Sequence, residues 1–157
     1  LKLSSLDANK DLMKKEQIRL DELVDYALDS LDLRKFTNVE IEKSLKENSI
    51  CGDFYWLAEA IINIIKNAVN RPTCDKIVLS SYKNPLYTSL IIEDNGGGIE
   101  KENVKKIFKR FYKTPDSNGF GIGLAMAKTI VEKNNGEISV SNIDCGARFE
   151  IKFYNVT

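Results

Sequence analysis

Residues 91–99 read IIEDNGGGI, an apolar run that turns acidic at Glu93 and Asp94 and then dissolves into Gly96, Gly97 and Gly98. A strand that delivers a carboxylate to backbone without side chains can form the floor of a site for a flat ligand. The carboxylate accepts hydrogen bonds, and glycine lets the main chain come close. The same residues also make an ordinary turn between two elements. A second group lies on residues 54–70. At about 100° per residue, Glu59, Asn63, Lys66, Asn67 and Asn70 fall within one arc of roughly 100°. Asparagine has modest helix propensity, so three on one stripe suggest work for their amides. The carbonyl is a neutral hard ligand for Mg²⁺, the amide can donate to phosphate oxygen, and Lys66 would suit a polyphosphate. The alternative is a plain polar helix face. Third, Gly119-Phe120-Gly121-Ile122-Gly123-Leu124 opens a helix, where backbone N–H groups and the helix dipole can cradle phosphate. The spacing is GxGxG without a strand immediately before it, a poor dinucleotide fingerprint, and no GxxxxGK[ST] occurs. Alone it could be a mobile turn. Fourth, Phe108, Phe111 and Tyr112 are interleaved with Lys109, Arg110 and Lys113 ahead of a polar loop, 113–118. These could anchor that loop and supply charge, or simply end an amphipathic helix.

Elements to position these groups can be read from periodicity. Lys14–Arg19 suits a short strand. Leu20, Leu23, Val24, Ala27, Leu28 and Leu31 repeat at helical steps. Val39, Ile41 and Leu45 alternate with charges as in a half-buried strand. Asp53 stands as an N-cap before a helix over 54–70, ended by Arg71-Pro72. Strands are expected at 77–82 and 87–93 around Lys83-Asn84-Pro85, and a short helix over 100–108. Gly119–Gly123 leads into a helix that runs to about Lys133 and ends at Asn134-Asn135-Gly136, and strands at 137–140 and 148–153 flank Asp144-Cys145-Gly146. The pattern implies a two-layer α/β sandwich: a mixed, mostly antiparallel sheet with about three helices on one face.

Composition narrows the chemistry. The chain has 157 residues, enough for one domain with a real core. It carries 23 basic and 23 acidic residues, so bulk charge gives no case for nucleic acid or a membrane surface. No apolar run is long enough to span a bilayer, and no signal peptide is visible. Three scattered cysteines form no metal-ligand spacing and are expected to be reduced thiols in the cytoplasm. There is no histidine, which removes Ser-His-Asp and Cys-His catalysis, His-based zinc sites, and any modification of histidine within these residues.

Together the motifs resemble the catalytic and ATP-binding domain of sensor histidine kinases. That domain belongs to the wider superfamily that includes DNA gyrase, mismatch-repair MutL and a heat-shock chaperone (the Bergerat, or GHKL, fold). An N box at Glu59–Asn67, a G1 box at Asp94–Gly98, an F box at Phe108–Phe111 and a G2 box at Gly119–Gly123 follow in the family's order, over about residues 35–155. The resemblance implies roles. Asp94 would accept a hydrogen bond from the adenine amino group, where guanine presents an oxygen. Gly96 and Gly98 would let the base approach, with Ile99 beside them. Asn63 and Asn67 would meet Mg²⁺ and phosphates, assisted by Lys66. Phe108, Phe111 and Tyr112 would fix a lid over ATP, and Lys113 would reach the γ-phosphate. Gly119, Gly121, Ile122 and Gly123 would wrap the phosphates, and Leu124 would start the packed helix. The activity implied is transfer of the ATP γ-phosphoryl group to a histidine outside these residues. The implied partners are a dimerisation domain that carries this histidine, whose end residues 1–12 resemble, and a response regulator. Residues 13–157 would form the catalytic domain, monomeric by itself and cytoplasmic. Two departures stand out: Asn70 and Arg71 occupy positions that are often Lys-Tyr in the family, and the lid is short. Two other activities stay open. Glu59, one helical turn before Asn63, sits where the gyrase and MutL branch has its water-activating glutamate, which suits a hydrolase. A stand-alone serine kinase of the anti-sigma type shares the fold.

Overall fold

The computed structural model describes residues 13–31, 38–46, 48–71, 73–110 and 122–155. In chain order these form strand β1 (Glu16–Arg19), helix α1 (Leu20–Ser30), strands β2 (Glu40–Ser44) and β3 (Ser49–Gly52), and helix α2 (Phe54–Val69). Strands β4 (Lys76–Lys83) and β5 (Tyr87–Asp94), a 3₁₀ turn (Lys101–Asn103), helix α3 (Gly123–Lys133), and strands β6 (Gly136–Ile143) and β7 (Gly146–Tyr154) complete it. A five-stranded sheet has the order β2-β4-β5-β7-β6. Only β2 and β4 run parallel among these neighbours. A separate antiparallel pair, β1 and β3, sets Ile18 opposite Ile50.

The alternation of β-strands puts one row of each strand under the helices. Ile77 and Leu79, Leu90 and Ile92, Ile138, and Phe149 and Ile151 form that buried row. From above it meets Leu20, Leu23, Val24 and Ala27 of α1, Leu57, Ile61, Ile64 and Ile65 of α2, and Ala127, Ile130 and Val131 of α3. The opposite face of the sheet is polar, with Ser89 donating to Glu150 across β5 and β7 at 2.7 Å. The expected two-layer sandwich is therefore the observed one. Among the described residues no helix is long and apolar enough to cross a membrane.

Asp53 caps α2 as its position suggests, accepting from the Trp56 N–H at 3.2 Å. The cap is itself held from the far end of α3. Asn134 accepts from the Asp53 N–H at 2.7 Å and donates to the Ile130 carbonyl at 2.7 Å, and it is only 1% exposed. Asn134→Ala leaves both backbone groups unpaired in the interior. We expect a loss of about 2 kcal/mol in urea unfolding, with no loss if the amide were idle.

Three expectations change. Residues 100–108 do not form an α-helix: a 3₁₀ turn is followed by further turns, with bonds such as Lys106 N–H to the Asn103 carbonyl. Strand β3 was not foreseen. Helix α3 begins at Gly123, one residue before Leu124. Residues 1–12 and the segment holding Phe111, Tyr112, Lys113, Gly119 and Gly121 lie outside the described residues.

Candidate nucleotide site

Asp94 is the last residue of β5. It pairs with Ile77 on the helix-facing side of the sheet, so its carboxylate ends under α2. The residue is 4% exposed. Its Oδ1 accepts from the Gly96 N–H at 2.8 Å and lies 3.4 Å from the Ala147 N–H. Arg71 Nη1 stands 3.5 Å from the same oxygen, at ion-pair distance but without hydrogen-bond geometry. Among the described residues, every such contact falls on Oδ1, so Oδ2 keeps its accepting capacity. The negative charge is felt nearby. The buried Cys74 thiol titrates above its ordinary range, first through burial and then through the charge of Asp94.

The glycines after Asp94 are required for two different reasons. Gly97 and Gly98 take φ of 100° and 75°, where L side chains are strained. At Gly96 a Cβ would stand 3.0 Å from Arg71 Cδ, so the missing side chain there makes room for the arginine stem. The tip of the β6–β7 hairpin clamps the whole loop. Asn142 accepts from the Ile99 N–H at 2.7 Å and donates back to the Ile99 carbonyl at 2.5 Å, and Gly97 N–H donates to the Cys145 carbonyl at 2.9 Å. Asn142, Cys145 and Gly146 were not among the expected site residues. Their part depends on two strands meeting about 50 residues apart in sequence, which local pattern does not reveal.

Asn63 and Asn67 lie one turn apart on the half-buried edge of α2, with Glu59 one turn before and Lys66 exposed beside them. Asn63 faces the start of α3: a Cβ on Gly123 would be 3.6 Å from its Cγ. The Asn63 Nδ2 is buried and has no hydrogen-bond partner among the described residues. Helix α3 begins at Gly123 after Ile122, whose side chain makes no cap, and among the described residues no side chain is seen to cap the first-turn N–H groups. Asn67 Oδ1 lies 3.4 Å from Arg71 Nη2, which links the asparagine stripe to Asp94 through one guanidinium. Phe108 turns inward, edge-on to Phe149 at 6.2 Å, so it fixes the end of the turn segment 101–108. The structure thus sets Asn63 against Gly123, links Asn67 through Arg71 to Asp94 and Gly96, and ties Gly98 and Ile99 to the hairpin tip at Asn142.

Known proteins similar to this chain are numerous. Residues 52–156 match the family model described as histidine kinase-, DNA gyrase B-, and HSP90-like ATPase. The chain is 31% identical over 163 residues to sensor protein RprX of Bacteroides fragilis, covering 96% of this chain and 31% of that protein. It is 32% identical over 154 residues to sensor protein kinase WalK of Staphylococcus aureus, covering 92% of this chain and 37% of the relative. The chain therefore spans about a third of the length of these curated relatives. Among solved structures, the mycobacterial sensor histidine kinase MprB superposes with a TM-score of 0.79 at 26% identity, over 88% of this chain and 96% of the other. The Acinetobacter baumannii histidine kinase AdeS does so with a TM-score of 0.80 at 26% identity, over 98% and 74%. With the family model matched across α2, the Asp94 loop, α3 and the final hairpin, this chain belongs to the histidine kinase-, DNA gyrase B- and HSP90-like ATPase family.

Proposed function

We propose that this chain is the ATP-binding kinase domain of a sensor histidine kinase, with adenine at Asp94 and the phosphates between α2 and the start of α3. The observation that carries the reading is the buried Asp94 carboxylate, held by one oxygen and open at the other. An acceptor there suits the adenine amino group and repels the guanine oxygen. The phosphate end is supported by the unpartnered Asn63 amide and the uncapped α3. Asn63 would hold a Mg²⁺ ion through its carbonyl oxygen, while the Asn67 oxygen is occupied by the Arg71 guanidinium at 3.4 Å. The ion would supply charge neutralisation at the phosphates. Among the described residues no three acids, cysteines or histidines gather to form a protein cage, so most of its ligands would be phosphates and water.

Phosphoryl transfer asks little covalent help of a protein; it asks for position and charge. An imidazole nitrogen would attack the γ-phosphorus as the bridging bond to ADP breaks. This chain contains no histidine, so the imidazole must be supplied from elsewhere. A dimerisation domain joined through residues 1–12 is the proposed source, with a response regulator as the next acceptor and the cytoplasm as the compartment. The sensor kinases among the relatives favour this reading over hydrolysis or serine phosphorylation.

Calorimetric titration tests the nucleotide site. ATP with Mg²⁺ should bind and GTP should bind at least about 100-fold more weakly, since a buried carboxylate would face an oxygen. Asp94→Asn should lose most of that discrimination. Equal affinity of the wild-type chain for the two nucleotides would defeat the proposal.

A further inference from the structure

We propose that Arg71 is a second base-reading residue, which donates a hydrogen bond to N1 of adenine beside the amino group accepted by Asp94. The inference rests on adenine lying at Asp94 and adds a residue and a chemical edge to that reading. Arg71 Nη1 is buried, has no hydrogen-bond partner among the described residues, and stands 3.5 Å from Asp94 Oδ1. A buried guanidinium N–H without an acceptor is costly, and that cost is removed when a ligand brings the acceptor. The side chain is fixed rather than free to wander. Its Nη2 is held by Asn67 at 3.4 Å, its stem lies against Gly96, and its side chain is 16% exposed.

The pair therefore presents an acceptor and a donor side by side. The Watson–Crick edge of adenine carries the complement: a donor at the 6-amino group and an acceptor at N1. Guanine carries the reverse, an acceptor at O6 and a donor at N1. Each base atom would then be read by one fixed protein atom, and guanine would meet two mismatches instead of one. Gly96 belongs to the same device, because any side chain there would push the arginine stem away.

Binding of ATP and of 1-deaza-ATP, in which N1 is replaced by carbon, tests the contact on the whole chain. The wild-type chain should bind 1-deaza-ATP about tenfold more weakly than ATP, the usual worth of a hydrogen bond to a charged group. Arg71→Ala should lower ATP affinity by a similar factor and leave 1-deaza-ATP affinity unchanged. Arg71→Lys, which keeps a donor, should recover part of the loss. Circular dichroism of each variant checks its fold, and the wild-type comparison of the two nucleotides needs no variant. Equal wild-type affinity for both would overturn the proposal. So would an Arg71→Ala loss of the same size for both, since that marks a structural role only. Purine riboside triphosphate, which lacks the 6-amino group, separates the two readings. If its affinity for the wild-type chain matches that of ATP, adenine recognition at Asp94 itself fails, and the Arg71 contact fails with it.

Discussion

Gly146→Ala should cost about 3 kcal/mol or more of stability and abolish detectable adenine-nucleotide binding. A Cβ on Gly146 would stand 1.6 Å from the Asp94 carbonyl oxygen, 2.6 Å from its carbonyl carbon and 2.9 Å from Asn95 Cα. All three are backbone atoms, so no rotamer change relieves the clash. The start of β7 must retreat from the end of β5. That retreat breaks the Gly97–Cys145 hydrogen bond and withdraws the Ala147 N–H from Asp94. The carboxylate would lose the support that fixes its orientation just where the base is to be read. Gly97→Ala is the internal comparison. Its Cβ meets nothing closer than Thr73 Oγ1 at 3.6 Å, so the cost is the strain of φ at 100°, about 1 kcal/mol. Urea unfolding of the two variants, followed by ATP calorimetry, should rank Gly146→Ala well below Gly97→Ala. Near-native stability of Gly146→Ala would mean that the strands do not approach so closely.

The contrast between these two glycines shows what a single sequence can carry. The fold class, helix α2 and the Asp94 strand were legible because each rests on local period. Ile61, Ile64, Ile65 and Ala68 repeat at helical steps, and Leu90 and Ile92 face the core on alternate positions. The Asp53 cap was legible because a carboxylate before a helix has a local task. Strand β3 was not, because it has one core residue, Ile50, and exists only through pairing with β1. The supposed helix at 100–108 failed for the opposite reason. Its Val104, Ile107 and Phe108 imitate a helical stripe, but the segment is clamped at Ile99 by Asn142 and at Phe108 by Phe149. With both ends fixed by tertiary contacts, short three-residue turns close the gap, and a helix this short gains little from its own hydrogen bonds. Within the site, residue types announced Asp94 and the asparagines. The hairpin tip that orients them could not be announced, since its evidence is proximity across distant strands. Arg71 lies between these cases: it stood out as a departure from family habit, and only its distance to Asp94 gives the departure a chemical meaning.

Asn63→Ala should separate binding from stability, raising one fold-related quantity while destroying the functional one. Among the described residues the buried Asn63 Nδ2 has no partner, so α2 carries an uncompensated donor. Removing such a group relieves a cost of about 1 kcal/mol or more, and alanine adds a few tenths through helix propensity. The variant should therefore unfold at slightly higher urea concentration than the wild type. Its side chain, however, sits opposite the start of α3, where a Cβ on Gly123 would stand 3.6 Å from it. If phosphates and Mg²⁺ lie beside that contact, the same substitution removes a metal ligand and a phosphate donor together. Affinity for ATP with Mg²⁺ should then fall about 100-fold, the sum of two charge-assisted contacts at the lower end of their range. Adenosine affinity should hold, because Asp94 and Arg71 are untouched. A structural role for Asn63 predicts the reverse pattern, with stability and adenosine binding falling together. The two outcomes have opposite signs in urea, so unfolding alone decides whether this amide was retained for the fold or for a ligand.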